Sequence, residues 1–235
     1  MPGGFRMATV LIDEQCEIPA GIGTLSDFRR WAVSPEFPPT GRIDWVASRI
    51  EVDMSPEDIF THGTLKSEIV GRLWMLAKDR GMHLFTGETR VSNPSADLSV
   101  EPDVVIVTDA AIDSGRVRPV PAASSKPDRF GEFEGSPDLV IEIVSDSSVA
   151  KDTRRLPTAY HKAGVSEFWL VDARGPEVSF TIHRWEPAGY APDHTAAGLP
   201  RSALFGCGFA LTRSRNPQGR PVYDLASHPD EKPQA

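Results

Sequence analysis

Two acids sit where hydrocarbon is expected. The segment "EPDVVIV" puts Asp103 at the head of an apolar run, and "SPDLVIEIVSDSSVAKD", Ser136 to Asp152, puts Glu142 in the middle of another. Leu139, Val140, Ile141, Ile143 and Val144 are apolar on both parities, the pattern of a strand buried on both faces. An unpaired buried anion costs several kcal/mol, or takes up a proton instead. Two carboxylates in adjacent strands are relieved by a divalent cation between them, and hard oxygen ligands suit Mg2+ or Mn2+. The chemistry such a site supports is polarisation of a phosphate and activation of water. Each acid also has a plainer reading. Glu142 alone is equally well explained by an ion pair with an arginine, and an aspartate after proline, as at Asp103, is a common turn acceptor.

Other polar residues are less specific. Lys151, Arg154, Arg155 and Lys162 read either as a solvated helix face or as a phosphate-contacting patch. Glu51 shares strand parity with Asp53 and is a weaker candidate for a third acid. No G-x-S-x-G is present, and Ser145 to Ser148 look like strand-end and cap residues, so no Ser–His–Asp machinery is indicated. Cys16 and Cys207 are far apart with no C-x-x-C, which leaves no thiolate cluster for zinc.

The elements that must position the two acids follow from periodicity. "RIDWVASRIEVDM", Arg42 to Met54, alternates and turns in the middle, as a hairpin does. "THGTLKSEIVGRLWMLAKDRG", Thr61 to Gly81, carries Leu65, Ile69, Leu73 and Leu76 at helical spacing, with Thr61 as expected cap and Gly81 as stop. "MHLFTG" and "LSVEPDVVIVTDA" read as strands, and the Pro-, Gly- and Ser-rich stretch 114–137 as a long connection. The strand bearing Glu142, a helix at about 153–163 and the strand "SEFWLVDA" form a βαβ unit, hence a parallel pair with a right-handed crossover. "FTIHRWE" reads as an edge-type strand. Residues 1–40 read as an arm with one short helix, 41–212 as an α/β domain, and 213–235 as a disordered tail. The fold class expected is α/β, a central mixed sheet with the helix at 61–80 on one side and the helix at 153–163 on the other.

At 235 residues, 40% hydrophobic and 25% charged, the composition is that of one substantial globular domain. No run approaches the roughly 20 apolar residues of a membrane helix, and the N-terminus lacks a basic start followed by an apolar stretch. The expectation is a cytoplasmic protein with no membrane partner. A formal net charge of −8 provides no general attraction for polyanions, so a nucleic acid would need a local basic patch or a bound metal.

The order of short motifs carries a resemblance. Pro102–Asp103, the long connection, "PDLVIEIVS" at 137–145, "AYHKAGV" at 159–165 and "EFWLVD" at 167–172 resemble the Uma-type restriction endonuclease family, a bacterial branch of the PD-(D/E)xK nuclease superfamily. The likeness runs from about Arg42 to Trp185 and includes "MSP" at 54–56 and the His62 that follows. It implies a restriction-endonuclease-like core, Asp103 and Glu142 as metal ligands, His62 as a further site residue, Mg2+ or Mn2+ as cofactor and DNA as substrate, with a homodimer compatible.

One departure bears on activity. The superfamily places a lysine two residues after the acid, where this chain has Val144, and in this branch that lysine belongs on the following helix four residues before the tyrosine. Counting back from Tyr160 gives Leu156. On a helical wheel Leu156 shares a side with Val149, Tyr160 and Ala163, opposite Lys151, Arg155 and Lys162. Pro157 belongs in a first turn, so the helix is expected to begin near Asp152 or Thr153 and to leave Lys151 in the strand-to-helix turn. Lys151 is therefore the expected replacement cation, with Arg155 second because arginine stays protonated. The function expected is metal-dependent endonucleolytic hydrolysis of DNA. A nuclease-fold binding module that has lost catalysis and a metal-dependent phosphoesterase acting on small molecules remain as alternatives.

Overall fold

A computed structural model describes residues 10–13, 16–122 and 128–230 of the chain. Near the N-terminus β1 (Val10–Asp13) and β2 (Cys16–Ile18) pair antiparallel. Helix α1 (Leu25–Ala32) follows, opened by a reciprocal Thr24–Asp27 capping box. It buries Phe28 and Trp31 against Ile43 and Trp45.

Two six-stranded sheets make up most of the fold. One contains β3 (Arg42–Val46), β4 (Ile50–Asp53), β6 (Arg90–Asn93), β7 (Leu98–Val100), β9 (Val117–Pro121) and β10 (Phe130–Gly135), in the order β4-β3-β7-β6-β10-β9. The other contains β5 (Met82–Thr86), β8 (Val104–Thr108), β11 (Leu139–Ile143), β12 (Glu167–Asp172), β13 (Ser179–Glu186) and β14 (Gly189–Pro192), in the order β14-β13-β12-β11-β8-β5. Strands β15 (Arg201–Ser202), β16 (Cys207–Arg215) and β17 (Pro221–Pro229) form a third, smaller sheet. The 42–54 hairpin is β3–β4, turned by Ala47 and Ser48 at positive φ. Strands β11 and β12 are parallel, as the βαβ reading requires, and β8 lies antiparallel on the other side of β11.

Helix α2 (Thr64–Ala77) buries Leu65, Ile69, Leu73 and Ala77 on the face of β11 that carries Leu139, Ile141 and Ile143. Helix α4 (Leu156–Ala163) packs on the opposite face against Val140 and Phe168, and reaches Val46, Leu98 and Val100 of the neighbouring sheet. The α/β class with a mixed sheet between two helices thus holds, with a second sheet behind α4. A short helix, α3 (Asp109–Asp113), follows β8. Among the described residues no helix is long and apolar enough to cross a membrane.

Several local expectations are corrected. The cap expected at Thr61 is provided by Asp58, whose carboxylate accepts from the Phe60 and Thr61 amides at 2.9 and 2.6 Å and opens a π-helical turn, Ile59–Gly63, ahead of α2. "LSVEPDVVIVTDA" is two strands in two sheets, because Pro102 offers no N–H to a ladder and the chain changes sheet there. The 114–137 connection contains β9 and β10, and the prolines at 119 and 121 are tolerated because β9 is an edge strand. "FTIHRWE" is not the edge, since β14 covers it. The segment expected as a tail from residue 213 is instead ordered through Pro229: β17 pairs along β16 and places Tyr223 and Leu225 in the α2 core, while residues 231–235 lie outside the described set. Polar and proline-rich composition hid a hairpin half-buried on one face. Finally, the helix expected to begin near Asp152 or Thr153 begins at residue 149, so Lys151 lies within it, and Pro157 is accommodated inside a continuous helix just after the wider π-helical turn Lys151–Arg155.

Candidate metal centre and its charged surroundings

The change of sheet at Pro102 places Asp103 where the two sheets diverge, fully buried at the start of β8. The register continues from Ile141 opposite Val104, and Asp103 Oδ2 accepts from the Ile143 amide at 2.8 Å, so Asp103 and Glu142 are cross-strand neighbours. Three basic side chains converge on Asp103. Arg42 Nη2 from β3 stands 2.9 Å from Oδ1, Lys66 Nζ from α2 stands 3.1 Å from Oδ1, and His62 Nε2 stands 3.3 Å from Oδ2. Burial would raise the Asp103 carboxyl, but the His62 contact and the Arg42, His62 and Lys66 charges overcome it and hold it far below the carboxylate range.

Glu57 completes the cluster from the loop before the π-helical turn. Its Oε1 is 2.8 Å from Lys66 Nζ and its Oε2 is 3.1 Å from His62 Nδ1. Glu57, His62 and Asp103 offer one ligand atom each within 4.8 Å of one another. His62 is 3% exposed, and its Nδ1, out of line with Glu57, is a buried nitrogen without a hydrogen bond. A buried imidazole whose Nδ1 faces Glu57 without a hydrogen bond and whose Nε2 faces Asp103 fits a divalent cation, with one ring nitrogen as ligand and the other oriented by a carboxylate. One nitrogen with two oxygens is a donor set better suited to Mn2+ than to Mg2+, which prefers oxygen alone.

Glu142 belongs to the α4 face of the same sheet. It is 1% exposed, and Tyr160 donates its hydroxyl to Oε1 at 2.5 Å. Burial, then the Asp152 and Asp103 charges, push its carboxyl well above the ordinary range. Asp152 is 1% exposed; Ser148 donates to Oδ2, while Oδ1 has no partner. Lys151 is buried in the π-helical turn with Nζ 2.9 Å from Asp44 Oδ2, and Asp44 Oδ1 accepts from the Glu101 amide at 3.0 Å. Burial alone would lower the Lys151 ammonium, but the Asp44 and Glu142 charges raise it above its ordinary value.

The remaining sequence candidates are dispersed. Arg155 holds Glu51 in a two-point contact at 2.5 and 2.8 Å, so the pair neutralises itself. Lys162 is exposed, and its charge acts on Asp97 beside the β3–β4 turn, the end of β3 remote from Arg42. A cleft of about 340 Å3 opens over Arg42, Glu57 and His62. A neighbouring hollow of about 710 Å3, lined by Glu51, Lys151 and Arg155, shares Asp53, Ser55 and Ser147 with it. The two form one groove beside β4, narrowed where Ser147 donates to Asp53 Oδ2 at 2.7 Å.

Sequence reasoning missed Glu57, Lys66, Arg42, Asp44 and Asp152. Lys66 lies four residues after His62, the spacing of one helix face, and Arg42 and Asp44 share a strand face with Val46. Those spacings were the available signals. Nothing marks Glu57, in a loop, or the turn that buries Asp152.

Comparison with known proteins bears on the family and the fold. The Uma2 family model, described as "Putative restriction endonuclease", matches residues 25–213. The crystal structure of a "putative nuclease belonging to DUF820" from Anabaena variabilis ATCC 29413 superposes with a TM-score of 0.56 at 21% identity, covering 77% of this chain and 90% of that one. At that identity the likeness is one of fold. No curated protein matches the chain. With the family model spanning both strands that carry Asp103 and Glu142, the chain belongs to the Uma2 family.

Proposed function

We propose that the protein is a metal-dependent endonuclease that hydrolyses DNA phosphodiesters in the groove beside β4. The observation that carries this reading is the Glu57–His62–Asp103 cluster, three ligand atoms within 4.8 Å at a cleft, in a chain of a nuclease-like family. These three residues would hold the cation, with Mn2+ favoured by the histidine and Mg2+ the hard-cation alternative. A bound divalent ion polarises the scissile phosphate and acidifies a water. In the hydrolysis, the water oxygen bonds to phosphorus, the ester bond to the leaving nucleotide breaks, one water proton ends on the leaving oxygen and the other passes to solvent as the phosphate monoester ionises.

The chain's own residues prepare the site for that reaction. Arg42, Lys66 and His62 keep Asp103 ionised although it is buried, so the ligand needs no deprotonation. Glu142, anchored by the Tyr160 hydroxyl, sits beside Asp103 as a second buried carboxyl. Asp53, Glu57, Glu88 and Glu101 line the cleft against Arg42 and His62, so a polyanion would need the bound cation to offset them as it approaches.

Incubation of the purified protein with supercoiled plasmid and Mn2+ should yield nicked circles, and chelation should stop the reaction. Glu57 is the ligand to test because its side chain, at 48% exposed, is the least buried of the three. Glu57→Gln should slow nicking by about a hundredfold, the scale on which lost metal stabilisation is felt in catalysis. A Glu57→Gln protein that nicks at the wild-type rate would remove the basis of the assignment. DNA binding without nicking would favour the catalytically silent alternative, consistent with Leu156 at the lysine position.

A further inference from the structure

The family pattern asks for a lysine at position 156, and this chain has Leu156, 1% exposed and packed among Val140, Ala159 and Tyr160. A lysine there is replaced by hydrocarbon, so any ammonium at the centre must come from elsewhere in the fold. Lys151 is 6% exposed and ion-paired with buried Asp44 at 2.9 Å, on the α4 side of the sheet. Releasing it would strand a buried carboxylate, at a cost of several kcal/mol. Arg155 is held by Glu51, and Arg42, a guanidinium whose side chain is 22% exposed at the cleft, is bound to Asp103 at 2.9 Å with Glu57 farther off at 3.7 Å.

Lys66 is placed differently. It rises from the first turns of α2, four residues after His62, with its side chain 16% exposed. Its Nζ lies 2.8 Å from Glu57 Oε1 and 3.1 Å from Asp103 Oδ1, contacting two of the three candidate ligands at once. An ammonium carries three donors, so two carboxylates leave one for a phosphate oxygen.

We infer that Lys66, reaching in from α2 on the opposite side of the sheet from α4, is the catalytic lysine of this chain. It shares Glu57 and Asp103 with the metal and donates to the phosphate oxygen that gains charge during hydrolysis. It acts by hydrogen bonding and charge, and no proton transfer is assigned to it. The inference rests on the hydrolytic reading of the same site, and two separate measurements divide them.

The first measurement is Mn2+ affinity by titration calorimetry, on wild type and Lys66→Met, with no nucleic acid present. An ammonium about 3 Å from two ligand oxygens repels an incoming dication, so Lys66→Met should bind Mn2+ about tenfold more tightly. The second is plasmid nicking at saturating Mn2+. Lys66→Met should be slower by at least a hundredfold despite its tighter metal, and Lys66→Ala should regain activity when ethylammonium is added, whereas Lys151→Met should gain nothing from the same amine. Nicking by Lys66→Met within threefold of wild type would overturn the inference while leaving the endonuclease reading intact. A wild-type protein that nicks nothing would overturn the endonuclease reading, and with it the catalytic role of Lys66. In that case Mn2+ affinity still decides whether Lys66 shares the metal ligands, and equal affinity in the two proteins would exclude even that. Circular dichroism melting of each variant separates these outcomes from loss of fold.

Discussion

Replacing Asp152 with asparagine should stabilise the protein increasingly as pH rises from about 4, and fully at neutral pH and above. The carboxyl is 1% exposed, one oxygen accepts from Ser148, and the other has no partner. Burial raises it from 3.8 to about 6, with the Asp103 charge adding to the rise and Ser148 and Lys151 opposing it. The folded state therefore keeps a proton that the unfolded chain releases near pH 4. Between about pH 4 and pH 6 the native state binds more protons than the unfolded one, so stability falls as pH rises through that window. Above it the full cost of a buried anion is present. At about 1.4 kcal/mol per tenfold in protonation, a rise from 3.8 to about 6 corresponds to about 3 kcal/mol. Asparagine retains an oxygen for Ser148 and carries no charge, so Asp152→Asn should gain about 2–3 kcal/mol at pH 7.5 and almost nothing at pH 3.5. Urea unfolding of both proteins at the two pH values reads this directly, since titrations common to both cancel in the difference. An equal change at both pH values, or a less stable variant at pH 7.5, would refute the reasoning.

Two further outcomes follow from the same network. Tyr160→Phe removes the hydroxyl that Glu142 accepts while keeping the ring in its core, so unfolding should show a loss of about 1–2 kcal/mol, with the fold unchanged by circular dichroism. Added Mn2+ should raise the melting temperature of wild type in a concentration-dependent way, and Glu57→Gln should shift that dependence to higher Mn2+; an identical dependence in the two proteins would show that the ion binds elsewhere.

What the sequence made legible was governed by backbone pattern. Asp103 and Glu142 could be found because one heads and the other interrupts a continuous apolar run, and β8 and β11 then bring them side by side. The stripe of Leu65, Ile69 and Leu73 gave α2, and two buried runs joined by a helix gave the parallel β11–β12 pair. Charge partnership was not legible, because it is fixed by tertiary contacts. Lys151 was expected to stand free in a turn, yet the extra residue of a π-helical turn directs it to Asp44, a residue 107 positions earlier. Glu57 and Lys66 meet Asp103 only because a loop and a helix end close over the point where Pro102 redirects the chain. The β9–β10 and β16–β17 pairings were obscured for another reason. Their prolines and polar residues lie on edges and solvent-facing sides, where composition resembles that of a loop.

The switch of sheets at Pro102 also makes the centre a gauge of tertiary alignment. Arg42 extends from a strand of one sheet, Asp103 heads a strand of the other, and a single ion pair joins them across the seam. A sliding of one sheet past the other by one residue, about 3.3 Å, would exceed the reach of that contact and empty the cluster of its buried acid. The geometry of the centre and the register of the two sheets are therefore one mechanical variable, and a ligand that tightens the first must also lock the second.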